Sequence, residues 1–481
     1  MGGTKLSVKG ELTPAAADPR RWKALALLVV VNFMVILDSQ IVILALPSIE
    51  RALGFSAGGA QWVMSAYLLG FGGLLLFGGR LGDLLGRRRV FLFGTALFGL
   101  ASLWCGLAWS PGVLIAARAL HGVSAALMAP TALAILITTF AEGPERNRAL
   151  AVWGGFGGLG ATAALLIGGA LTDVLGWEWI FFLNIPVAAA LLLLAPTLLR
   201  ESRRHEGRAR GFDLTGAVAL TGGLTLLCLA IVRAPEAGWA SATTFGTLVA
   251  AVALVAAFVL VETRTAAPLI PLRIFRGRGL TGGNLVVLLA GMAAWGTGLA
   301  VSSYAQGVLG YSPLVYGVGT SVLTVMAIVG SFAAQALLPR SGPRLAAAGG
   351  ALLLCAGDLV LTRMSPGGGY LADLFPGLFI FGAGLGASTV AGSVAALSGA
   401  SAEDAGVASG TNTAVFQIGG ALGAAIFTSV SVAHTAGATA TTALTHGLSA
   451  GFVSAAVPAA LAVLTALILL RGNASAGRIH R

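Results

Sequence analysis

Three residues of this chain bring a titratable carboxyl, a fixed cation and an imidazole to what their flanking apolar runs make a single membrane depth: Asp38, Arg118 and His121. Asp38 stands about 14 residues into the run 24–46, ~21 Å from its start at 1.5 Å per residue. Arg118 stands about 7 residues into the run 112–139, which travels the other way, ~10 Å from the opposite face. The two reach nearly the same level and can pair. His121 follows Arg118 by one helical turn on roughly the same face. Such a set changes charge with pH and with a bound cation, which is the chemistry of a proton-carrying site. It can equally be a structural ion pair beside a satisfied core histidine. Each ionisable group at this depth costs about 2.5–3.5 kcal/mol on insertion scales and is therefore a functional candidate.

Asp358 is a fourth candidate for proton coupling. It lies near the end of a later run, shortly before Arg363, where a side chain can also snorkel to the interface as a surface residue. Polar and aromatic residues inside the runs offer a wall for a substrate cavity: Asn32, Gln40, Tyr67, Trp153, Phe156, Trp295, Gln306, Asn412 and Gln417. The ordinary alternative for each is a hydrogen bond to another helix, or aromatic packing within a bundle.

The elements that must position these residues follow from composition. Of 481 residues, 57% are hydrophobic and 10% are charged, and mean hydropathy is +0.91. So little charge cannot furnish the polar surface of a soluble chain this long, so the protein is integral to a membrane. Fourteen runs can cross ~30 Å of hydrocarbon as helices: 24–46, 60–78, 90–108, 112–139, 148–170, 180–199, 213–232, 243–262, 280–302, 314–338, 344–363, 370–397, 405–430 and 449–470. The first is expected to end at Pro47. Polar tails occupy 1–23 and 471–481.

Of the 29 Lys and Arg residues, Arg51, Arg233 and Arg363 fall on one side, Arg118 lies inside the membrane, and the others fall on the opposite side. This bias places both termini in the cytoplasm and accounts for the net charge of +11 without a nucleic-acid partner. Trp62, Trp104, Trp109, Trp177, Trp179 and Trp239 fall at the other face as an interfacial belt. Cys105, Cys228 and Cys355 lie in apolar runs and form neither a disulfide framework nor a metal site. Two basic segments, 200–211 and 262–279, divide the runs into six, two and six. The chain then reads as a bundle at 24–199, a linker region at 200–279 carrying the two spans 213–232 and 243–262, and a second bundle at 280–470. Six plus six is the count that a transporter built from structural repeats requires.

Residues 79–89, G-R-L-G-D-L-L-G-R-R-R, join the second and third runs. Gly79, Gly82 and Gly86 let the chain bend sharply, Asp83 can cap a helix N-terminus, and Arg87, Arg88 and Arg89 sit on the basic side. This stretch resembles the loop between the second and third helices of the major facilitator superfamily, with Leu84 where a basic residue is usual. L-D-S-Q-I-V-I-L-A-L-P-S-I at 37–49, L-I-A-A-R-A-L-H-G-V-S-A-A at 114–126 and W-I-F-F-L-N-I-P at 179–186 are similar to motifs of its fourteen-span drug:proton antiporter branch. So is G-A-T-A-A-L-L-I-G-G at 160–169, where Ala164 and Leu165 replace the Gly-Pro of the antiporter motif.

The resemblance implies an all-α membrane protein with the major facilitator fold, 14 transmembrane helices arranged as two six-helix bundles plus two inserted linker helices. It implies a monomer in the cell membrane, acting on a small-molecule substrate and protons by alternating access, with no cofactor. The expected activity is efflux of an amphipathic or cationic, antibiotic-like compound in exchange for protons; the alternative is a proton symporter or facilitator for a polar metabolite. It also implies a conformational latch in which Gly79, Asp83, Gly86, Arg87 and Arg88 meet Glu403, Asp404 and the helix start near 406–410. A membrane-embedded enzyme or sensor would need a catalytic or metal constellation. The sequence has no H-E-x-x-H and no G-x-x-x-x-G-K-[ST], and the G-x-G-x-x-G at 155–160 follows no strand.

Overall fold

A lipid-embedded backbone must satisfy its own N–H and C=O groups, and apolar runs of this length do so as helices. The computed structural model describes residues 20–56, 58–202, 213–265, 268–398, 400, 404–435 and 441–470, and among these there is no strand. Most of the two polar tails, and Glu403 of the expected latch, lie outside the described residues. The first bundle holds α1 (Arg21–Leu53), α2 (Trp62–Leu85), α3 (Arg87–Gly106), α4 (Pro111–Thr139), α5 (Pro144–Val174) and α6 (Trp179–Leu198). Then come α7 (Leu214–Ala237) and α8 (Ala242–Arg264), a short 3-10 turn at Leu272–Arg276, and α9 (Arg278–Val308). The stretch Pro313–Leu361 is interrupted at Gly342, whose φ of 70° and ψ of 168° are not helical. Flanked by Pro339 and Pro343, this glycine divides the stretch into α10 (313–341) and α11 (343–361). With α12 (Tyr370–Leu397), α13 (Ala405–Thr435) and α14 (Thr441–Leu469), the described residues hold fourteen spans.

The expected end of the first helix at Pro47 is corrected. α1 continues through Pro47 to Leu53 and stops at Gly54, whose φ is 68°. A proline inside a helix leaves the carbonyl four residues earlier without its N–H donor. Here that carbonyl is Ile43 O, and Ser302 Oγ of α9 donates to it at 2.9 Å, so the freed group is satisfied by the other bundle.

Within the first bundle α4 packs on α2 and α3, and α1 packs on α5; within the second, α9 packs on α12, α13 and α14. The bundles meet where α2 faces α13 and where α5 faces α10. At the second contact the bare Cα of Gly317 lets α10 lie directly against Leu165 O. α7 and α8 pair with each other, and α7 packs on both α2 and α13. Large apolar side chains cover the outside, among them Phe93, Leu193, Phe245, Phe332 and Leu371, as lipid contact demands. The tryptophan belt is smaller than expected: Trp104, Trp109, Trp179 and Trp239 are exposed, whereas Trp177 is buried and stacks edge-on against Phe181. Trp62 is half-buried at the start of α2.

Candidate functional site

Side chains from four helices and a backbone carbonyl from a fifth converge on a buried polar cluster in the first bundle. Asp38, Arg118 and His121 are all fully buried. Arg118 NH1 donates to Asp38 Oδ2 at 2.8 Å and Arg118 Nε to Val63 O at 3.0 Å. Asn184 Nδ2, on α6, donates to Asp38 Oδ1 at 2.9 Å and lies 3.2 Å from Ser102 Oγ on α3. Arg118 NH1 also lies 3.0 Å from His121 Nδ1. An arginine always donates, so Nδ1 is the acceptor and the ring proton resides on Nε2, which reaches Ser102 Oγ at 3.0 Å. His121 is therefore a neutral imidazole here, closing a ring of contacts through Ser102 and Asn184 back to Asp38. The guanidinium lies 4.3 Å from the Tyr67 ring centroid and 5.6 Å from that of Phe181, which supplies cation–π contact to a fully buried cation.

The depth argument thus placed Asp38 beside Arg118 correctly, but left out Asn184 and Ser102. Asn184 stands in the W-I-F-F-L-N-I-P motif, the signal by which it could have been found.

A separate cavity of about 1370 Å³ lies between the bundles. Its deep wall holds Asn32, Gln40, Trp153, Trp295 and Gln417, and its rim holds Arg80, Asp83, Arg87, Arg273 and Asp404 at the basic face. Asn32 Nδ2 is tied to Trp153 O at 2.9 Å. Trp295 Nε1 is buried over Gly420 with no acceptor among the described residues. Four expected wall residues are elsewhere. Tyr67 is fully buried against Arg118, with its hydroxyl 3.4 Å from Val35 O. Phe156 is exposed on the outside of the bundle. Gln306 donates to Leu44 O at 2.9 Å, part of the seal at the face away from the basic rim. Asn412 bridges Ser393 Oγ and Asn284 Oδ1, at 2.7 and 3.0 Å. Each position reads as polar or aromatic in sequence, but only the helix rotation decides which side it faces.

Asp358 is corrected as a surface residue: it is fully buried. Thr297 Oγ1 of α9 donates to its Oδ1 at 2.6 Å, and its Oδ2 has no hydrogen-bond partner among the described residues. The burial arises because Gly357 lets α12 approach α11 closely at Phe381.

At the basic face Asp83 Oδ1 accepts from Arg87 Nε and NH2 at 2.9 and 2.8 Å. Gly86, with φ 110°, turns the chain beneath the Glu201 carboxylate, which accepts from Arg88 N at 3.1 Å. Arg88 NH1 reaches Pro196 O and Leu199 O. Asp404 pairs with Arg273 at 3.0 Å. Gly79 lies against Pro130 of α4. Among the described residues no group of His, Cys, Asp and Glu is arranged to hold a metal ion.

The model of the Major Facilitator Superfamily matches residues 28–424, most of the chain and both bundles. The chain belongs to the major facilitator superfamily. It is 42% identical to the puromycin resistance protein pur8 of Streptomyces alboniger over 421 residues, 87% of this chain and 83% of that protein. It is 40% identical to the cephamycin export protein CmcT of Amycolatopsis lactamdurans over 417 residues, 86% of this chain and 85% of that one. Among solved structures, a bacterial homologue of the human lysosomal transporter Spinster, inward-facing and unoccupied, superposes with a TM-score of 0.66 at 17% identity, covering 95% of this chain and 98% of that chain. That likeness is one of fold. The chain is a multi-pass membrane transporter of small molecules and not an enzyme.

Proposed function

We propose that this major facilitator protein exports an amphipathic or cationic, antibiotic-like compound from the cytoplasm in exchange for protons. The observation that carries the reading is the adjacency on α1 of a sealed carboxylate, Asp38, and cavity-wall residues, Ser39 and Gln40. Protonation of Asp38 releases its charge from Arg118, shifts α1, and so reaches the cavity. The two relatives, a puromycin resistance protein and a cephamycin export protein, support the direction. Asp38, Arg118 and His121 form the coupling cluster and Asp358 is a second carrier in the other bundle. The basic face is cytoplasmic, as are both termini, in the cell membrane, and the cavity reaching that face makes the described conformation inward-facing. The units 24–199 and 280–470 rock against each other as a monomer, with the latch residues of the 79–89 stretch meeting Asp404 in the opposite conformation.

The test is transport in proteoliposomes with an imposed pH gradient and a lipophilic cation. Gradient-driven accumulation that disappears in Asp38→Asn supports the reading; accumulation indifferent to the gradient in the unmodified protein overturns it and favours a facilitator.

A further inference from the structure

The cavity between the bundles is charged at one end only. Among the described residues, the ionisable side chains on its wall are Arg80, Asp83, Arg87, Asp213, Arg273 and Asp404, all at the mouth. The deep wall carries instead the rings of Phe71, Trp153 and Phe416 and the amides of Gln40 and Gln417. Gln417, on α13, is 7% exposed and has no hydrogen-bond partner among the described residues. Gln40, half-buried on α1 of the opposing bundle, also has none there. A primary amide both donates and accepts, and one left unsatisfied in so closed a place is costly. The two amides are therefore free to hold the polar atoms of a bound molecule.

At the mouth, the carboxylates are engaged elsewhere than with Arg80. Asp83 accepts from Arg87 at 2.8 and 2.9 Å, and Asp404 from Arg273 at 3.0 Å. Asp213 turns to the start of α7, where its Oδ1 accepts from Gly216 N at 2.7 Å. Arg80 is half-buried and, among the described residues, makes neither an ion pair nor a hydrogen bond. A guanidinium in a recess, partly out of water, gains more from a carboxylate than one on an open surface, and its planar fork fits both oxygens of the group. From Gly72, against which the Gln417 side chain packs, to Arg80 is ~12 Å along α2 at about 1.5 Å per residue.

We propose that the cavity prefers amphipathic acids: the aromatic body lies in the deep wall with Gln40 and Gln417, and a carboxylate ~12 Å nearer the mouth is bound by Arg80. The inference rests on the export reading and names a preferred substrate class within it. Arg80 is then a specificity-determining residue, placed where a compound entering from the basic face meets it first.

The test is equilibrium binding to the full chain in phosphatidylcholine nanodiscs, with empty nanodiscs subtracted. Radiolabelled dansylglycine and dansylglycinamide share one body and differ in the carboxylate. The unmodified protein should bind the acid at least about tenfold more tightly than the amide. In Arg80→Gln the two should bind alike, with the affinity for the amide as in the parent, and Arg80→Lys should keep part of the preference. Gln417→Leu should weaken both probes by a similar factor. No saturable binding of the acid, no preference in the unmodified protein, or a preference that survives in Arg80→Gln overturns the proposal. So does an equal loss of both probes in Arg80→Gln, which would make Arg80 structural, or unchanged binding in Gln417→Leu, which would empty the deep wall. Because the readout is binding, a protein that transports against a pH gradient yet fails here loses only the acid site. One that passes here and ignores the gradient loses only the exchange reading.

Discussion

Asp173 Oδ2, at the end of α5, accepts from Ser312 Oγ at 2.7 Å and from Leu314 N at 3.2 Å. A carboxylate of one bundle thus sits on the helix start of the other, at the face away from the cavity mouth. Ser302 Oγ on Ile43 O and Gln306 Nε2 on Leu44 O lie beside it in the same seal. A capping contact is worth about 1 kcal/mol, or about fivefold in a two-state equilibrium. Asp173→Ala should raise the labelling of an Ile43→Cys reporter from the outside by about that factor. An unchanged rate would show that packing alone seals this face.

Asp38→Asn leaves a partner for Asn184 but strips Arg118 of its counter-ion. Breaking a buried pair from one side costs about 3–5 kcal/mol, whereas removing both charges costs less than the sum of the parts. Thermal unfolding in detergent should therefore rank the unmodified protein first, Asp38→Asn with Arg118→Gln second, and Asp38→Asn alone last. A single variant as stable as its parent would mean that another group balances the guanidinium.

Asp83→Ala frees Arg87 in the conformation described and removes the proposed latch in the opposite one. The carrier should populate the inward-facing form more, so external labelling of Ile43→Cys should fall. Labelling equal to the parent's would remove Asp83 from the conformational balance.

Helix number and order are legible in the sequence because crossing hydrocarbon leaves the backbone one solution. The pairing of Asp38 with Arg118 is legible for the same reason, since rise per residue converts position into depth. Rotation about each helix axis is not: Tyr67 and Phe156 read as wall residues, yet one packs under Arg118 and the other faces outward. Asp358 looked superficial because Arg363 is near it in sequence, and its burial depends on how closely α12 approaches at Gly357.

α1 shows the solvent-excluded carboxylate to the interior of its own bundle and the neighbouring Ser39 and Gln40 to the space between bundles. A compound in the cavity and the buried ion pair therefore share no contact residue among those described there. Substitutions along the wall can alter what the cavity admits while the Asp38–Arg118 pair keeps every one of its partners.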